Sequence, residues 1–114
     1  LNYWVSVKWR FSEIAMTEKT FTDFTWFRLD SIINGCVEGI PTLFTGVAES
    51  KERFRACADF IRNNGRIPGP IIVLDKGNGI EIVDGNHRIA ALLHIGIPRG
   101  YNVPVWIADK NAEA

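Results

Sequence analysis

Cysteine is scarce in this chain. Cys36 and Cys57 are the only two, they form no Cys-x-x-Cys pair, and neither has a histidine nearby in sequence. That spacing argues against a zinc site; two isolated positions leave a disulfide open, and the preferred reading is two buried thiols in a reducing compartment. Long apolar runs are also missing: no stretch approaches the ~20 residues a spanning helix requires. The N-terminus begins at Leu1 without a basic-then-apolar leader pattern. A cytoplasmic location is the expectation. Nor is there an excess of one charge, since 13 Lys and Arg balance 13 Asp and Glu. Binding to nucleic acid or to an anionic membrane therefore needs a local patch. Neither GxGxxG nor GxxxxGK[ST] occurs, which excludes the two commonest phosphate-loop patterns.

What is present suits one α+β domain of 114 residues, 46% of them hydrophobic. In LNYWVSVKWRFS (1–12), Tyr3, Val5, Val7, Trp9 and Phe11 alternate with mostly polar residues, which predicts a half-buried strand. FTDFTWFRL (21–29), rich in aromatics and threonine, also predicts a strand. Residues 30–48 carry Gly35, Gly39, Pro41 and Gly46 and read as a long loop around a short element. Residues 50–64 give the clearest helix. Phe54, Cys57, Ala58 and Ile61 form one stripe, Ser50 is placed to cap the start and Gly65 to stop the end.

IIVL (71–74) and IEIV (80–83), separated by DKGNG, predict a hairpin with a five-residue loop. A helix over 87–95 follows, with Ile89, Leu92 and Leu93 inward and Gly96 at its end. VPVWI (103–107) is a last strand, with Pro104 suggesting a sheet edge. Residues 108–114 read as a polar tail. The domain divides into an N-terminal extension strand (1–20), a core (25–107) and that tail.

Chemistry concentrates in VDGNHRIAAL (83–92). A helix start has unpaired N–H groups and a dipole that favours negative charge. Gly85 permits close backbone approach, and Asn86 can cap the helix. His87 and Arg88 then fall in the first turn, where cations are disfavoured unless an anion sits beside them. Free N–H groups, an imidazole and a guanidinium fork suit a phosphate. The same residues also fit a plain turn, with Arg88 paired to Glu81 or Asp84 and His87 covering the helix start. Asp84 would repel a phosphate unless magnesium lay between them.

The order of these features resembles the ParB/sulfiredoxin-like superfamily. The matching segments are WFRLDSII (26–33), FIRNNG (60–65), PIIVL (70–74), IVDGNHRIAAL (82–92), GIP (96–98) and VPVWI (103–107). The likeness is densest over 54–107. The resemblance implies a compact mixed sheet with helices, and nucleotide phosphates bound by Gly85, Asn86, His87 and Arg88. Sulfiredoxins have a catalytic cysteine where this chain has Asn86, so sulfinic acid reduction is not expected. ParB-type partition proteins add a helix-turn-helix domain that these residues lack, so centromere-style partitioning is not expected either. Small single-domain members remain, among them plasmid fertility inhibition factors.

The resemblance implies ATP or another nucleotide, with Mg2+, as cofactors. It implies a nucleotide-dependent phosphohydrolase or nuclease, with DNA or a protein of a DNA-transfer system as target. Asp84, His87, Arg88 and Glu81 are the expected catalytic residues, with Asp84 also holding the metal. A non-catalytic nucleotide- or DNA-binding module, an interaction protein and a small-molecule kinase are the alternatives. For DNA, Lys51, Arg53, Arg55, Arg62 and Arg66 outnumber Glu52 and Asp59 on the first predicted helix, with Arg53 and Arg55 the candidate contacts.

Overall fold

The computed structural model describes residues 8–40 and 48–109. Among them lie three helices and a four-stranded mixed sheet, an α+β fold. The chain order is β1 (Trp9–Ala15), α1 (Asp23–Cys36), α2 (Ala48–Asn64), β2 (Ile71–Asp75), β3 (Ile80–Asp84), α3 (Asn86–Ile95) and β4 (Asn102–Asp109). The strands lie in the order β1-β4-β2-β3. β4 runs antiparallel to β1 and parallel to β2, while β2 and β3 form the antiparallel hairpin. No described helix is long and apolar enough to cross a membrane.

The helices build the core against the sheet. Leu29 and Ile32 of α1, Phe54, Ala58 and Ile61 of α2, and Ile89 and Leu92 of α3 meet Ile71, Val73, Ile82, Val103, Val105 and Ile107 from the strands. Each fully buried Leu or Ile contributes ~1.5–3 kcal/mol. α3 packs against both α1 and α2, so its N-terminus is framed by two other helices.

The segment 21–29, expected as a strand, is mostly helix. Thr22 caps α1, accepting from the Thr25 N–H at 3.3 Å. Thr25, Leu29, Ile32 and Cys36 then recur at helical spacing, with the first three buried. That period outweighs the β propensity of the aromatics. The same helix absorbs residues 30–36 of the expected loop, and residues 41–47 of it lie outside the described residues. Phe21 alone makes a strand-like contact, an isolated parallel bridge to Ile80.

β1 begins at Trp9, and residues 1–7 of the expected strand lie outside the described residues. Its faces differ from the expectation. Ile14 packs on the main core, whereas Phe11 is 53% exposed and meets Trp106 edge-on at 5.4 Å. Trp9 packs on the small cluster of Leu74 and Ala108. These residues occupy the sheet face that the helices leave uncovered.

Two further expectations change. β4 is central rather than an edge, because it pairs with both β1 and β2. Pro104 is tolerated because the pairing to β2 starts one residue later, at Val105. α2 begins at Ala48, two residues before Ser50, so Ser50 sits inside the first turn instead of capping it. The hairpin is as expected, with Asp75 joining β2 and its carboxylate accepting from the Gly77 N–H at 2.9 Å. Gly65 and Gly96 close α2 and α3, each donating its N–H to the carbonyl four residues back.

Candidate functional site

The site is built on the junction of β3 and α3. Gly85 is the residue before the helix, with φ +118°. A side chain there would be strained by that backbone, and its Cβ would lie 2.8 Å from Ile71 Cβ. Glycine thus lets the α3 start press against β2. It also leaves the helix without a side-chain cap. Asn86, expected to cap, is instead the first helical residue. It turns inward, 9% exposed, and its Oδ1 is buried with no hydrogen-bond partner. An unsatisfied buried acceptor costs about 1–3 kcal/mol.

The α3 start opens on a cavity of about 670 Å3. Arg28 comes from α1, Arg53 and Cys57 from α2, Asp84 from β3, and Gly85, Asn86, His87 and Arg88 from the loop and α3. Three arginines and one carboxylate therefore line a cavity beside an uncapped helix N-terminus, with Arg88 paired to the carboxylate and the Arg28 guanidinium 5.6 Å from the centre of the Phe24 ring. That distribution attracts anions.

His87 does not add to the positive charge in its resting form. Burial pushes its pKa down, and the nearby Arg53 guanidinium pushes it further the same way. The imidazole is accordingly neutral near pH 7, which removes half of the apparent conflict with the helix dipole. Its Nε2 lies 2.7 Å from the hydroxyl of Ser50. Ser50 is 5% exposed and also approaches Cys36, whose Sγ donates to the Ser50 carbonyl at 3.7 Å.

Arg88 is more committed than the sequence implies. One terminal nitrogen donates to the carbonyls of Pro68 at 3.2 Å and Pro70 at 2.8 Å. The other lies 3.4 Å from Asp84 Oδ2, one of the two pairings open to it from the sequence. Of its five N–H donors, these contacts use three, leaving two for a ligand.

Glu81 is not brought to the cavity. It pairs in register with Leu74, which lies on the uncovered sheet face, and its carboxylate sits 4.0 Å from Lys76. Arg53 and Arg55 also diverge. Arg53 lines the cavity at α3, whereas Arg55 lines a second one of about 470 Å3 with Lys51, Arg62 and His94. Both cysteines are free and half-buried. Burial pushes the Cys57 thiol up, against an opposing pull from Arg88, so it is a poor nucleophile at neutral pH.

No group of three or more His, Cys, Asp or Glu side chains among the described residues is arranged to hold a metal. A magnesium ion shared with phosphate oxygens needs only one or two protein oxygens. Asp84, exposed and 3.4 Å from an Arg88 terminal nitrogen, is the acidic side chain that lines the cavity and fits that share.

No family model, curated protein or solved structure matches the chain.

Sequence reasoning missed Arg28, Cys57 and the role of Ser50. Arg28 was obscured by reading 21–29 as a strand. On a helix it lies four residues before Ile32, beside the inward stripe. Cys57 was visible only as part of the α2 core stripe, and nothing local ties Ser50 to a histidine 37 residues later.

Proposed function

We propose that the cavity at the α3 start binds nucleotide phosphates, and that the chain is a nucleotide-dependent phosphohydrolase or nuclease of the ParB/sulfiredoxin-like type. The observation that carries this reading is the convergence of Arg28, Arg53 and Arg88 on an uncapped helix N-terminus within one cavity. The arginines and the α3 N–H groups bind phosphate oxygens and stabilise charge that builds during transfer. Magnesium, held by Asp84 with the phosphates, supplies further neutralisation when bound. The target belongs to the same proposal: DNA, or a protein of a DNA-transfer system, as for the fertility inhibition factors. Glu81, on the other sheet face, is left without a catalytic role.

A second reading, nucleotide binding without turnover, is favoured by one observation. Arg88 and Asp84 already satisfy each other in part, and Arg88 also holds two carbonyls.

A thermal-shift panel of ATP, ADP, CTP and GTP, with and without magnesium, tests binding. A ligand at 100 times its Kd stabilises by ~2.7 kcal/mol. Arg53→Ala should abolish most of that shift. Phosphate release and nicking of a supercoiled plasmid then separate the two readings. If no nucleotide raises the melting temperature of the wild type, both readings fail.

A further inference from the structure

The Ser50–His87 contact is short, half-buried and far from any local sequence pattern. We propose that Ser50 is a positioning residue whose hydroxyl donates to His87 Nε2, holding the neutral ring in the tautomer with its proton on Nδ1. His87 then offers the cavity an uncharged N–H donor.

The proton assignment follows from what each group can do. Ser50 lies in the first turn of α2, facing the start of α3. Among the described residues its Oγ has two neighbours, His87 Nε2 at 2.7 Å and Cys36 Sγ at 3.8 Å. Sulfur is a weak acceptor and an imidazole nitrogen a good one. The Cys36 proton already has the Ser50 carbonyl to bond to. The hydroxyl proton therefore goes to Nε2, and that nitrogen carries its lone pair. In a neutral ring the proton then sits on Nδ1, which has no hydrogen-bond partner among the described residues.

The arrangement suits the position. A protonated histidine in the first turn of α3 would oppose the helix dipole and stand against Arg53. A neutral ring with a lone pair toward the cavity would repel a phosphate. A neutral ring with an N–H does neither. It also disfavours His87 as the general base, since Nε2 is engaged by Ser50 and Nδ1 holds the proton. His87 is thereby a phosphate-positioning donor, an assignment that deepens the proposed function and rests on it for its ligand.

Long-range 1H–15N correlation spectra of the 15N-labelled chain at pH 7.5, without ligand, read the tautomer directly. The chain has only two histidines, so His94→Gln assigns them. The expected pattern is a protonated Nδ1 and a lone-pair Nε2 at His87. Ser50→Ala should move the ring toward the Nε2-protonated form, and Ser50→Thr, which keeps the hydroxyl, should not. In parallel, the Kd for ATP should rise about tenfold in Ser50→Ala and stay within about twofold in Ser50→Thr, as expected for one lost hydrogen bond.

A wild-type ring protonated on Nε2 overturns the proposal, even if Ser50→Ala does not fold. So does a Ser50→Ala ring that keeps the wild-type pattern. If the wild type shows the expected tautomer but no ATP binding, the positioning role is upheld and the phosphate reading fails.

Discussion

Arg88→Ala separates anchoring from ligand binding. The side chain is 20% exposed, and its guanidinium ties the first turn of α3 to the turn before β2. The bonds to the Pro68 and Pro70 carbonyls are worth ~1 kcal/mol each, below the ~1.5–3 kcal/mol usual for a charged donor, because water can reach both prolines once the side chain is gone. The Asp84 carboxylate is 69% exposed. Its pairing adds about 0–1 kcal/mol. Lost packing of the arginine stem adds a few tenths. The total is about 2–3 kcal/mol. At ~4 °C per kcal/mol for a domain of this size, the melting temperature falls by roughly 10 °C. Circular-dichroism melts and urea titrations measure it. Asp84→Asn, which leaves both carbonyl bonds in place, should lose under ~1 kcal/mol. An Arg88→Ala protein as stable as wild type, or an Asp84→Asn protein equally destabilised, would refute the carbonyl-anchoring argument. Nucleotide affinity of Arg88→Ala should be measured well below its own melting temperature, so that lost binding is not confused with unfolding.

Three other outcomes follow from the geometry. Gly85→Ala meets both a disfavoured backbone angle and the Ile71 side chain, so it should lose ~3 kcal/mol or more and show a largely shifted or missing folded transition. Thr22→Ala removes the α1 cap and should cost ~1 kcal/mol in a urea titration, without changing nucleotide affinity. His87 has a lowered pKa in the fold, so the unfolded chain takes up its proton first as pH falls. Its stabilising contribution is complete above the ordinary pKa of ~6.5 and declines as pH drops below it. Urea midpoints from pH 8 to pH 5 should fall more steeply in wild type than in His87→Gln, and parallel slopes would contradict the burial argument.

The elements with one strong local signal were legible. The stripe of Phe54, Cys57, Ala58 and Ile61 marked α2, and the glycines of DKGNG marked the hairpin. The VDGNHR stretch showed where a strand hands over to a helix. α1 was misread because two signals conflict there: residue types favour a strand, while Thr25, Leu29 and Ile32 repeat at helical spacing behind a threonine cap. Pro104 was misread as an edge marker because one missing N–H excludes only one ladder position, not a whole central strand. The cavity was half legible. Its loop is contiguous in sequence, but Arg28, Ser50 and Arg53 reach it only through the packing of α1 and α2 around α3.

The strand order carries a consequence for how the molecule assembles. β4, the last described element, is the only bridge between β1 and the β2–β3 hairpin. Until it is in place, β1 has no neighbour in the sheet, and Val73 and Ile71 have no partners on that side. Pairing Trp9 with Ala108 closes a long loop, an entropic demand met only when β4 arrives. A ribosome-bound chain lacking β4 would thus hold an open hairpin edge beside Ile71, the residue against which Gly85 must seat. Ligand binding by such nascent chains should therefore appear in a single step, as β4 emerges, rather than accumulate as the loop residues are made.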